Sequence, residues 1–423
     1  MAKGSHHRWL TFLVLASGYL LVYFHRLCPA VVAIDMMEDL GAGAGLMGLL
    51  ASAYFYPYAA MQIPSGLLSD TWGPRKTITC FFVLAGFGSI VFGLAPNTAW
   101  AIGARVAVGL GVAMLFVPTM KILTRWFHAT EFARMTGILV ATGGVGALSA
   151  AMPLAFFSSV VGWRGSFVVV GFATLAMAVV IWVLVRNSPE ERGLPPVDDG
   201  TATKGPRAVR IGTWQGLRMV AGSLRFWPMA IWFFFTAGIF LTFFGLWGGP
   251  YLMEVYGLGR IEAGAVLSMV AVAKIVGCPT ISYLSDRWGT RRKFLLVAAV
   301  TQVVLMVPLA FFPAAFGFAS LFVWAILFGV SGSAIVVVAF PTTKEMFPVE
   351  IAGTAVGLIN LFPFLGAAIM QPVLGLILET QEKGPNGYDA DAYGLAFQVF
   401  FYASLIALAA AFMIEETLRP EKA

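Results

Sequence analysis

Apolar runs, each long enough to cross the hydrocarbon core of a bilayer, recur from one end of this chain to the other. They lie at 9–34, 45–68, 77–95, 98–121, 134–158, 165–186, 226–253, 262–284, 294–312, 317–343, 352–378 and 394–414. Nothing else restricts the fold so strongly. A helix rising ~1.5 Å per residue crosses a ~30 Å core in ~20 residues. Backbone polar groups find no water there, so each run must be helical. A soluble protein would need polar faces on these helices, and most of the runs have none. Charged residues make up 11% of the 423 residues, against roughly 25% in soluble domains. The expected fold is an all-α membrane protein with twelve transmembrane helices.

One stretch breaks this pattern. Residues 187–225 are polar, carry Pro, Gly and six Lys or Arg, and read as a linker with a short surface helix around 213–224. It divides the chain into a six-helix bundle at 1–186, the linker at 187–225, and a second six-helix bundle at 226–423. With the N-terminus in the cytoplasm, 21 of the 27 Lys and Arg face that side, and Arg164, Arg260 and Lys383 face outward. The positive-inside rule therefore places both termini in the cytoplasm. The net charge of +6 is loop bias, not a nucleic-acid surface. The first run is too long for a signal peptide and has no A-x-A site, so it reads as a retained helix. Cys28, Cys80 and Cys278 all fall in apolar segments, an odd set with no disulfide or metal spacing. No phosphate loop, metal cluster or Ser/His/Asp set stands out. No enzymatic role, catalytic residue, metal or cofactor is expected.

The two halves repeat each other. Residues 65–76 read "SGLLSDTWGPRK" and residues 281–292 read "ISYLSDRWGTRR". Asp70, Trp72, Gly73 and Arg75 recur as Asp286, Trp288, Gly289 and Arg291, all 216 residues on. Gly48 recurs as Gly264, and Met37-Glu38 as Met253-Glu254. "PTMK" ends span four at Lys121, and "PTTK" ends span ten at Lys344. Snorkelling of the two lysines explains their position at helix ends. Parallel half-repeats of this kind mark transporters whose substrate site lies between the halves near mid-membrane.

These features resemble the major facilitator superfamily over essentially the whole chain. The phrase G-x-x-x-D-x-x-G-x-R-K between spans two and three is similar to its signature, met by Gly66, Asp70, Gly73, Arg75 and Lys76. Two positions depart from it: Thr71 stands where Arg is usual, and Ser282 replaces the leading Gly in the second copy. The resemblance implies a conformational latch on the cytoplasmic side in the outward-open state, formed by Asp70, Arg75, Lys76, Asp286, Arg287 and Arg291. It also implies a monomer and an inner-membrane location.

Three cations remain inside spans: Arg26 in span one, Arg105 in span four and Lys274 in span eight. Each costs at least ~2.5–3.5 kcal/mol in a membrane helix unless it meets a partner or an aqueous cavity. All 21 Asp and Glu lie in loops or near span ends. The core thus holds excess positive charge, which an anionic substrate would offset. Arg26 and Lys274 are the expected substrate contacts. Tyr23 shares the helical face of Arg26. Tyr54, Tyr58 and Gln62 line one face of span two, and Asn360 faces in from span eleven.

The span-one phrase "YFHRLCPAVV" resembles the anion:cation symporters and organophosphate:phosphate antiporters. In those branches a span-one Arg holds the anion. Symporters often carry an Asp before that Arg and a carboxylate in span four; here stand His25 and "GVAMLFVP". His25 can titrate near neutral pH, so His25 and Arg105 are the candidates for proton coupling. The expected function is secondary transport of a small organic anion by alternating access, coupled to a proton. An organophosphate or other anion exchanger using a counter-anion stays open. A multidrug exporter and a non-transporting receptor are further alternatives.

Overall fold

A computed structural model describes residues 2–195, 197 and 213–418. Among the described residues the chain is helical throughout, with one isolated bridge between Gly384 and Gly387. It forms the two six-helix bundles expected. Ten helices are long and apolar enough to cross a membrane. The other two spans are present but broken.

Span two runs as Ala44–Ser52, Phe55–Ala60 and Gln62–Thr71. Pro57 and Pro64 each sit in the first turn of a new segment. A proline there lacks only an N–H that would have no helical partner, whereas one turn further in it would clash with a carbonyl. Span five is Ala129–Ser149 continued by the start of Met152–Leu184. That second helix turns at Gly162, whose φ of +72° is open to glycine at little cost. Its remainder is span six. Span seven carries a π turn at Phe243–Trp247, between Phe226–Thr242 and Gly248–Tyr256.

The connection after span six begins with a 3-10 turn, Pro189–Arg192, and closes with a helix at Thr213–Ala221. Most of the rest of the linker lies outside the described residues. Arg192 of the linker meets His7 at 3.1 Å and Arg225 meets Glu415 at 3.3 Å, so the described parts of the linker and of both end segments share one face. At the opposite face the bundles are joined by an ion pair from Arg260 to Asp35, and Arg260 also donates to the Ser158 hydroxyl at 3.3 Å. The Glu379 carboxylate there accepts from the Gly45 backbone at 3.2 Å. At the terminal face, ion pairs among the described residues lie within a bundle: Asp70 with Lys121, and Arg291 with Asp286 and Glu345. The bundles are therefore clasped at the face away from the termini.

Candidate functional site

Arg26 is buried at the boundary of the bundles, 5% exposed. Its Nη2 donates to the Tyr58 hydroxyl at 2.8 Å. Its guanidinium carbon lies 4.5 Å from the ring centre of Tyr23, 4.8 Å from Tyr58 and 4.9 Å from Phe364. Phe364 comes from span eleven of the other half, and its ring centre is 4.3 Å from that of Tyr58. Aromatic faces attract a cation, by up to ~2 kcal/mol each when desolvated. They spread the charge but cannot neutralise it. Nε of Arg26 is buried without a partner.

Span two supplies the rest of this wall. Tyr54 stacks on Tyr58 with ring centres 5.7 Å apart. Gln62 donates to the Tyr58 carbonyl at 3.1 Å. Its Oε1 accepts from Asn360 of span eleven at 2.7 Å, a bond between the bundles. The structure thus brings together Arg26, Tyr23, Tyr54, Tyr58, Gln62 and Asn360.

Lys274 lies half-buried in span eight. Its Nζ sits 4.3 Å from the ring centre of Phe240 and has no hydrogen-bond acceptor among the described residues. Span five links the two cations. A Cβ on Gly143 would lie 2.7 Å from the ring of Tyr23, and one on Gly144 would lie 2.6 Å from Ile275. Consecutive glycines therefore let the neighbours of Arg26 and of Lys274 close on the same turn of span five. No carboxylate comes within ion-pair distance of Arg26, Arg105 or Lys274 among the described residues; the acids pair elsewhere.

Arg105 is placed differently. It is 1% exposed and donates to the His25 carbonyl of span one at 3.0 Å, with Tyr54 and Phe92 over its faces. The His25 ring points away from the bundle boundary. Its Nε2 lies 3.0 Å from the Thr174 hydroxyl of span six. That hydroxyl donates its one proton to the Val170 carbonyl at 2.8 Å. Nδ1 of the ring is buried without a partner.

The signature copies differ in their partners. In the first, Asp70 pairs with Lys121 at 2.6 Å, so this lysine does more than snorkel. Arg75 lies over the Trp182 ring at 4.1 Å, and its backbone N–H is capped by the Asn187 side chain at 2.9 Å. Lys76 is exposed. In the second copy, Arg291 bridges Asp286 at 2.6 Å and Glu345 at 3.3 Å. Glu416 of the C-terminal segment caps the backbone N–H groups of Arg291 and Arg292, at 2.8 and 3.2 Å. Arg287 reaches only Tyr283 among the described residues. Among the described residues, none of these six residues bonds across the bundles.

A cleft of about 920 Å³ opens beside Arg260 at that closed face. It is lined by Asp35, Glu38, Asp39 and Glu262, which would repel an anion. The unpaired cations lie elsewhere.

Sequence reasoning missed Phe364, Phe240 and Gly143–Gly144 as parts of the site. Phe364 lies four residues after Asn360, on the same helical face, and that spacing was visible. The other three were hidden among many residues of the same kind.

Comparison with known proteins accords with this architecture. The sequence model of the Major Facilitator Superfamily matches residues 15–371 and 248–422. A probable sulfoacetate transporter of Cupriavidus necator is 25% identical over 305 residues, 70% of this chain and 69% of that protein. The D-galactonate transporter of Escherichia coli O6:H1 is 23% identical over 422 residues, 96% of this chain and 94% of that protein. Among solved structures, a bacterial homolog of the human lysosomal transporter Spinster, inward-facing and unoccupied, superposes with a TM-score of 0.75. It is 20% identical, over 96% of this chain and 98% of that one. Twelve spans in two related halves, both signature copies and the family match lead to one assignment: the chain belongs to the major facilitator superfamily.

Proposed function

We propose that the protein carries a small organic anion across the membrane by alternating access. One observation carries this reading: Arg26 and Lys274 border the bundle interface with no carboxylate partner among the described residues. A buried cation left uncompensated is costly, and an anion entering between the halves offsets both charges. The names of the relatives, a sulfoacetate and a D-galactonate transporter, support an anionic cargo. Arg26, Tyr23, Tyr58 and Lys274 would hold it, with Tyr54, Gln62 and Asn360 supporting that wall.

The bundles are 1–186 and 226–423, joined by the linker at 187–225. The loop bias of Lys and Arg supports cytoplasmic termini and a bacterial inner membrane. The closed face is then external, and the site opens inward. The signature residues Asp70, Arg75, Lys76, Asp286, Arg287 and Arg291 would latch the bundles when the external face opens. The working unit is a monomer.

Coupling has two readings. In the first, His25 takes up a proton and Arg105 relays the change to span one. A second is favoured by the hydrogen bonds of His25, whose ring is fixed on Thr174, and by the lack of a core carboxylate. It is exchange against a counter-anion, which needs no titrating group. Purified protein in proteoliposomes tests both. Uptake driven by an imposed pH gradient without internal anion supports coupling; a strict need for internal anion supports exchange. Failure of every organic anion to move or to stabilise the protein would overturn the transport reading.

A further inference from the structure

The rings around the two cations bear on the body of the ligand as well as its charge. Tyr23, Tyr58 and Phe364 cover the Arg26 guanidinium. Tyr19 packs on Tyr23 and Phe116, with ring centres 5.2 and 5.4 Å apart. On the other side, the neighbour of the Lys274 ammonium is Phe240, itself stacked on Phe328 at 5.2 Å.

The Gln62 amide of this wall is occupied. Gln62 gives its amide N–H to the Tyr58 carbonyl and its oxygen to Asn360. The Tyr58 oxygen accepts from Arg26. Donors without a partner among the described residues include Nε of Arg26, Nζ of Lys274 and the phenol proton of Tyr58. Such donors suit a carboxylate head. Beyond these donors, the surroundings of the two cations are chiefly rings.

Two bodies can be weighed. A polyhydroxylated chain would exchange water for aromatic faces, and each hydroxyl left without a partner costs roughly tenfold or more in affinity. A ring-bearing apolar body instead gains burial and edge or face contacts with the same walls. We infer that the cargo is an aryl or arylalkyl carboxylate, not a sugar acid. This rests on the anion reading of the same site and narrows it.

The test uses the purified full chain and direct binding titration with phenylacetate, gluconate, acetate and the neutral 2-phenylethanol. Phenylacetate and gluconate carry the same single charge, so their difference reports the body alone. Phenylacetate is expected to bind at least tenfold tighter than gluconate. Phe364→Leu keeps an apolar side chain and should weaken phenylacetate about fivefold more than it weakens acetate. Gluconate binding as tightly as phenylacetate overturns the inference and leaves the anion reading standing. Should 2-phenylethanol bind as tightly as phenylacetate, with acetate and gluconate silent, the anion reading itself falls and takes the inference with it.

Discussion

Arg26 and Lys274 bring one positive charge each from the two halves, yet they are held in opposite ways. Arg26 is enclosed by three rings and tied to Tyr58. Lys274 is half-buried and rests on one ring, Phe240. The 216-residue offset deepens the contrast. It sets Thr242 against Arg26 and Tyr58 against Lys274. The duplicated frame thus places its cation on span one in the first half and on span eight, the counterpart of span two, in the second. Repetition preserved the helices and moved the charge. A guanidinium held in a fixed orientation can engage a carboxylate through its fork; a lysine on a flexible stem adds attraction with little direction.

The sharpest test of that contrast is Arg26→Gln beside Arg26→Lys. Both should weaken anion binding by ~100-fold or more, since a compact ammonium cannot replace the caged fork. Titration of binding, with thermal unfolding as a fold control, checks this. A fully active Arg26→Lys protein would show that only charge matters there.

Lys274→Gln should cost less, about tenfold, while Lys274→Arg stays within about threefold of wild type. The affinity of wild type should fall with salt more steeply than that of Lys274→Gln. If Lys274→Arg were as damaging as Arg26→Lys, the two cations would be equivalent and the comparison would fail.

The signature copies offer a smaller effect. Asn187→Ala and Glu416→Ala each remove a cap from the helix following the signature, for about 1 kcal/mol or less at these part-exposed sites. Only the Glu416 contribution should shrink in high salt, because only that cap is charged. Melting curves at two ionic strengths separate them; identical salt responses would make the copies alike.

The smallest effect concerns pH. Burial raises the Asp35 carboxyl, against the pull of Arg260, and Glu38 and Asp39 push it the same way. The closed face then holds that proton more tightly than a hydrated Asp35 would. Closure is favoured as pH falls through the raised value and levels off below the ordinary carboxylate range. Glu416 titrates in the other sense: partial burial raises it, but bonds from Thr290 and the backbone of Arg291, Leu418 and Arg292 outweigh that and lower it. Its stabilisation is present above the usual carboxylate value and fades as pH falls through the lowered one. Cysteine cross-linking across the closed face as a function of pH, in wild type and Asp35→Asn, reads the first; a slope unchanged in Asp35→Asn would discard the role of Asp35.

Much of this was legible without coordinates. Span positions followed from hydropathy, and the breaks in span two fall where Pro57 and Pro64 forbid a continuous helix. The pairing of Lys121 with Asp70 was not legible, because a lysine at a helix end looks the same whether it snorkels or bonds. Nor was the contact of the His25 ring with Thr174, in a helix far along the chain.

By itself the sequence determined the membrane class, the doubled six-helix plan and the surplus of core cations. These are decided locally: each follows from which residues occupy a stretch about as long as the bilayer is thick. Only the tertiary structure decided which faces meet. Arg26 is covered by Phe364, more than three hundred residues later, and Arg291 is tied to Glu345 and Glu416. Helices apolar on nearly every side carry little record of which side faces protein and which faces lipid. Their rotation is settled by close packing between spans, and that packing turned two separated cations into one candidate site.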